Sequence, residues 1–245
     1  MPSSSRLLFA LLFASVVSLC GCRSSLYNTD GVKQFQQGQY QQAMNNFQQA
    51  IAANPNNSDA YYNLAATLHD WGRRSNNNDL LEQSESLYHR CLDLNGDHVD
   101  CYRGLSVLLV DTKRKESAFT LLERWAQRSP ALPEPQIELA RLYEEFGDND
   151  SARQYLTRAL DVNSGSSRAW AALGRLREEE GRLAQALTNY QQAYNLNRYH
   201  PGVPERIAAL QQRLTVASRS NTPSPAVGSS AGTRVTRSTS EWRTR

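Results

Sequence analysis

A chain of 245 residues with 40% apolar side chains can form one core or one elongated array, and a formal net charge of +3 points neither toward nor away from nucleic acid. Four cysteines at this length exclude a disulfide-dense miniprotein, and ordinary glycine usage excludes a collagen-like fibre. In chain order, the first element is "MPSSSRLLFALLFASVVSLCGC". Its amino terminus and Arg6 are positive, and residues 7–19 form an apolar run too short to cross a bilayer comfortably as a permanent helix. Small residues follow, so the segment reads as a secretory signal and not as part of the fold.

Leu19-Cys20-Gly21-Cys22 resembles the lipobox of bacterial lipoproteins, with Cys20 where Ala or Ser is commoner. Lipidation of Cys20 instead would place the bulky Leu19 just before it. The resemblance implies a signal peptide over 1–21, cleavage before Cys22, and a diacylglycerol on the Cys22 thiol. It also implies an acyl chain, such as palmitate, on the new amino group. Each buried methylene contributes about 0.8 kcal/mol, so several chains make a stable anchor. Arg23 follows Cys22 where an Asp would signal retention at the inner membrane. By analogy with lipoprotein sorting, this favours the outer membrane, on the periplasmic face of a bacterial envelope.

Next comes internal repetition. "GQYQQAMNNFQQAIAANP", "GDNDSARQYLTRALDVNS" and "GRLAQALTNYQQAYNLNR" place small and large residues at the same offsets. A second set precedes each, such as Leu139, Ala140 and Tyr143, or Trp170, Leu173 and Gly174. The pattern resembles the tetratricopeptide repeat (TPR), a helix–turn–helix unit. It implies an all-α, right-handed TPR solenoid of about five repeats: 24–57, 58–98, 99–132, 133–166 and 167–200. Alanines let the two helices of a unit approach, large residues fill the space between them, and glycine permits the turn. No unit buries its own face, so neighbours must stack. In the second repeat Gly72 is placed at the turn, and "SNNNDLL" is an insertion that either lengthens the turn or extends a helix. The third repeat has Lys113 where the turn glycine belongs.

"PERIAALQQRL" reads as a capping helix over 201–215, with Ile207, Leu210 and Leu214 on one face. From 216 to 245 Ser, Thr, Gly, Pro and Arg dominate, with five arginines against one glutamate. This stretch is expected to be a disordered basic tail: a linker, or a contact to anionic lipid or cell-wall polymer. Nucleic acid is not an expected partner in the envelope.

No phosphate loop, GxGxxG after a strand, GxSxG or HExxH is present, so no catalytic or cofactor site is assigned. His89-x-Cys91 and His98-x-x-Cys101 invite a metal reading. However, residues two apart on a helix face different ways, and no metal site is assigned. Cys91 and Cys101 sit nearly equidistant from the turn at Gly96. In an oxidising compartment they are either a disulfide or buried packing residues.

The TPR resemblance also implies a concave groove lined by the first helix of each repeat. Carried over, its positions fall on Phe35, then Asp59, Tyr62, His69 and Asp70, then Asp100, Arg103, Val107 and Asp111. They continue with Ile137, Arg141, Glu144 and Glu145, and with Arg168, Arg175, Glu178 and Glu179. Arg103, Arg141 and Arg175 are expected to form a basic stripe for an acidic or carboxylate-bearing segment. The function expected is a membrane-anchored, non-enzymatic protein-interaction scaffold in envelope assembly, such as pilus or outer-membrane protein biogenesis. The alternative is an accessory subunit of an envelope enzyme complex for cell-wall synthesis or cytochrome maturation.

Overall fold

A computed structural model describes residues 23–220. Among them are eleven helices and no strand. These are α1 (23–36), α2 (Tyr40–Ala53), α3 (Ser58–Ser75), α4 (Asn78–Leu94), α5 (Val99–Asp111), α6 (Lys115–Arg128), α7 (Glu134–Glu145), α8 (Asn149–Val162), α9 (Ser167–Glu179), α10 (Leu183–Leu196) and α11 (Val203–Ser220). Cys22, the signal segment 1–21 and the tail over 221–245 lie outside the described residues. No described helix is long and apolar enough to cross a membrane.

Short turns fold each helix back on the one before it. Within repeats the turn is closed by one residue in left-handed backbone. At Gly147 (φ +79°) the amide donates to the Glu144 carbonyl, and the next amide, of Asp148, donates to Tyr143. Lys113 adopts the same geometry with φ 63°, bonding through its amide to Val110 while Arg114 bonds to Leu109. The third repeat therefore keeps the turn without the glycine. The second repeat differs from its sequence reading. Gly72 is buried inside α3, and Asn76 takes the left-handed position with φ 52°. The insertion extends both helices: α3 has 18 residues and α4 has 17, against 13 and 14 in α5 and α6.

Between repeats a different device recurs. Asn54, Asn95, Asn163 and Asn197 end the second helices, and each side chain accepts the amide two residues on. This Asx turn satisfies a loose end and aims the chain at the next helix. That helix then opens on a cap: the side chains of Asn57, His98 and Ser166 each accept the amide three residues ahead.

The core runs the length of the array as overlapping clusters. Phe47 packs with Leu64 and Leu68, Tyr88 with Leu105 and Trp125, Leu156 with Leu173, and Tyr190 with Leu210. Close approach demands glycine at Gly104, where a Cβ would lie 2.6 Å from the Tyr88 ring. The capping helix runs further than its sequence reading, and residues 216–220 are helical, not tail. The Thr215 hydroxyl returns to the Gln211 and Gln212 carbonyls, and no proline interrupts before Pro223.

Candidate functional site

The first helices form the inner layer. α3, α5, α7 and α9 touch in succession, while the second helices make no comparable contact among the described residues. The layer with the closer axes is the inside of the curve, so its free face is a concave groove.

At the middle of that groove one carboxylate gathers three guanidiniums. Glu138 on α7 is buried, with 1% of its surface exposed. Arg103 on α5 brings Nε to 3.1 Å from both of its oxygens. Arg141, one turn on from Glu138, donates from Nε at 3.1 Å, and Arg168 on α9 donates from Nη2 at 3.2 Å. Arg141 also reaches Ser106 at 3.1 Å, and Arg103 reaches Asp100 at 3.0 Å. A charge taken out of water needs partners, and the planar fork of arginine supplies several donors to one carboxylate.

The ion pairs divide the arginines of the expected stripe. Arg103 and Arg141 converge, but their third member is Arg168 and not Arg175. Arg175 is held instead by Glu144, which is buried, and by Glu179 at 3.2 Å. The reason is local: each guanidinium turns to the nearest buried carboxylate. Burial pushes the Glu144 carboxyl above its ordinary value, against the pull of Arg175, and its Oε1 has no hydrogen-bond partner. Glu138 was not among the groove positions carried over from the repeat. Its only signal in the sequence is the i,i+3 spacing to Arg141.

The N-terminal half of the groove is less available than its sequence suggests. The Asp70 carboxylate accepts from the Tyr40 hydroxyl at 2.7 Å, from Arg74 at 2.9 Å and from Arg73 at 3.3 Å. His69 is buried, with Nε2 3.0 Å from Asp111 and its ring edge-on to Tyr88. Burial pushes the His69 imidazole below its ordinary value despite the neighbouring carboxylate. Tyr62 stays half-exposed beside His98, with ring centroids 5.6 Å apart.

Cys91 and Cys101 are joined as a disulfide, with Cα atoms 6.6 Å apart, which ties α4 to α5. His98 lies against the pair, so three side chains of metal-ligating type share one buried spot. Both ring nitrogens already have partners: Nδ1 accepts the Cys101 amide and Nε2 faces Asp59 at 2.9 Å. The thiols are spent on each other. The spot is a staple with a cap beside it. His89 is exposed on the other side of α4.

At the C-terminal end of the groove a cavity of about 420 Å³ opens between α9, α10 and the turn into α11. Its floor includes Ile137, Ala171, Tyr190 and Val203, and Arg168, Arg175 and Arg206 stand at its edge. Tyr190 donates its hydroxyl to Glu178 at 3.2 Å, and burial pushes its pKa up to about 12. Glu178 also receives Arg206 and Arg213 of α11, which fastens the cap to α9.

Two family models match the chain. Residues 33–72 match "TPR repeat", and residues 75–211 match "Tetratricopeptide repeat protein 21 C-terminal ARM domain". No curated protein matches it significantly. Among solved structures it is similar to TTC0263, a thermophilic TPR protein of Thermus thermophilus. They share 22% identity over 77% of this chain and 99% of that one, with a TM-score of 0.56. It is also similar to PilF of Pseudomonas aeruginosa, at 16% identity over 80% of this chain and 92% of that one, with a TM-score of 0.48. At such identities the likeness is one of fold alone. The second model spans more than half of the residues and lies on the same helix pairs that build the groove, and the chain belongs to the tetratricopeptide-repeat family.

Proposed function

We propose that this protein is a non-enzymatic scaffold that holds a segment of a partner protein in its concave groove. It is anchored by lipid on Cys22 at the periplasmic face of a bacterial envelope membrane, in particular the outer membrane. There it serves envelope assembly, such as pilus or outer-membrane protein biogenesis.

The observation that carries the binding role is the cluster on Glu138. A buried ion pair is often no more stabilising than apolar packing of the same volume. Three arginines from three successive repeats, tied to one buried carboxylate, are therefore a costly way to stabilise an array. They do hold cationic donors rigidly along the groove, where an extended segment would lie. The anchor rests on the lipobox. Ser24, two residues after Cys22, is buried: its hydroxyl donates to the Ala50 carbonyl at 2.9 Å and accepts from Asn57 at 2.9 Å. A lipid on Cys22 would thus hold the first repeat close to the membrane surface.

The test is photo-crosslinking in cells, with a reactive amino acid at Tyr62 in the groove or at His89 on the outer face of α4. Adducts to one defined envelope protein from Tyr62 and not from His89 are expected. Equal adducts from both positions would overturn the groove role. Adducts to a cell-wall or haem enzyme would favour the accessory-subunit reading. Mass spectrometry of the mature N-terminus tests the anchor, which an unmodified Cys22 would remove.

A further inference from the structure

We infer that the cavity between α9, α10 and the turn into α11 is a specificity pocket for one apolar side chain of the bound segment, and that Arg168 at its edge holds a carboxylate two residues away. This deepens the groove reading and rests on it.

The chemistry of the walls selects the occupant. A cavity of about 420 Å³ with an apolar floor is large enough for a leucine- or phenylalanine-sized group. Its edge is cationic: Arg168, Arg175 and Arg206 line it, and no aspartate or glutamate is among the described residues that do. Each guanidinium is braced from outside the cavity, Arg168 by Glu138, Arg175 by Glu144 and Arg206 by Glu178. Braced arginines lose less freedom on binding, and each has more N–H donors than its brace uses. Arg168 belongs both to the cavity and to the Glu138 cluster, so an anion placed on it also feels the attraction of Arg103 and Arg141, set against the repulsion of Glu138.

A chain seated here must present an apolar group and a negative charge on the same side. In an extended segment, residues two apart face the same way at a separation of roughly 7 Å. The favoured segment therefore carries an acidic residue two positions from a leucine-like one. Charge excludes the chain's own C-terminal stretch as occupant, because after Ser220 it holds four arginines and one glutamate. The occupant we infer is therefore an acidic segment of a partner protein.

Fluorescence anisotropy with the labelled, C-terminally amidated peptide Gly-Leu-Ser-Glu-Ser-Leu-Gly tests this on the mature protein. Saturable binding is expected. It should weaken at least about tenfold when the peptide's Glu becomes Gln or both Leu become Ser, and likewise in the Arg168→Gln or Ala172→Leu protein. Ala172 lines the cavity and is half-exposed, so leucine there fills the space without disturbing the core. An unchanged melting midpoint would confirm that the variant is folded. Arg168→Gln leaves Glu138 its other two arginines. Equal binding by all three peptides, wild-type binding by folded Ala172→Leu, or no saturation at millimolar peptide would overturn the assignment. So would equal binding by a free-acid peptide that lacks Glu. If crosslinking from Tyr62 persists while the peptides fail, only the pocket assignment falls, and the groove reading stands.

Discussion

Arg103 lies across the Glu138 carboxylate with Nε 3.1 Å from each of its oxygens, although the two residues stand on first helices of different repeats. With Arg141 and Arg168 the same carboxylate joins α5, α7 and α9. Replacing it should be felt across all three repeats. Glu138→Ala leaves three guanidiniums without their shared partner, and about 3–5 kcal/mol of stability should be lost. Chemical denaturation followed by circular dichroism measures this. A loss below roughly 1 kcal/mol would show that water replaces the carboxylate without penalty.

The disulfide between Cys91 and Cys101 closes a short loop with a sequence separation of 10. Loop-closure entropy for that length corresponds to roughly 2–3 kcal/mol. The Cys91→Ser, Cys101→Ser double variant, or the native protein under reductant, should melt earlier by a matching amount. Native protein isolated without reductant should show no thiol at either position in peptide mapping; two free thiols would contradict the bond.

Lys113 occupies left-handed backbone at φ 63°, where the turns of the first, fourth and fifth repeats have Gly38, Gly147 and Gly181. A side chain there costs about 1–2 kcal/mol, part of which glycine gives back by loosening the unfolded chain. Lys113→Gly should therefore stabilise the array by roughly 0.5–1 kcal/mol. Gly147→Ala, made at the equivalent turn, should destabilise it by a similar amount. Thermal midpoints of the two variants moving in the same direction would refute this account.

Asp97 accepts from the Ser129 hydroxyl at 2.6 Å, from the indole of the buried Trp125 at 2.9 Å and from Arg128 at 3.0 Å. These bonds, Ser129's foremost, hold its carboxyl below the ordinary value of 3.8. The folded pKa lies under the unfolded one, so the stabilisation is complete above that ordinary value. It is lost as pH falls through the lower, folded value. Asp97→Asn should cost about 1 kcal/mol at neutral pH and flatten the loss of stability below pH ~4. Tryptophan fluorescence during acid titration reads it directly, and an unchanged acid limb in the variant would sink the assignment.

The helical array was legible from residue types because its determinants are local. Small residues at fixed offsets mark where helices touch, and glycine or asparagine marks where the backbone must turn over. The Asx turns at Asn54, Asn95, Asn163 and Asn197 are equally local and could have been found by the same alignment of repeats. Where a substitute residue performs the same backbone task, the pattern misleads. Gly72 looks like a turn residue but packs inside α3, because Asn76 takes the left-handed position four residues later.

The groove was legible in outline and not in detail. Sequence by itself determined that first helices line one face and that arginines recur on it. Only the tertiary structure decided which carboxylate each arginine meets. Glu138 and Glu144 are ordinary helix glutamates until neighbouring repeats stack over them and remove their water. Once they are buried, the penalty for an unpaired charge draws in Arg103, Arg141 and Arg168 on one side and Arg175 on the other. The cavity beside Arg168 exists for a related reason. It forms where α11 closes the array, at a contact between residues about thirty positions apart that no local pattern encodes.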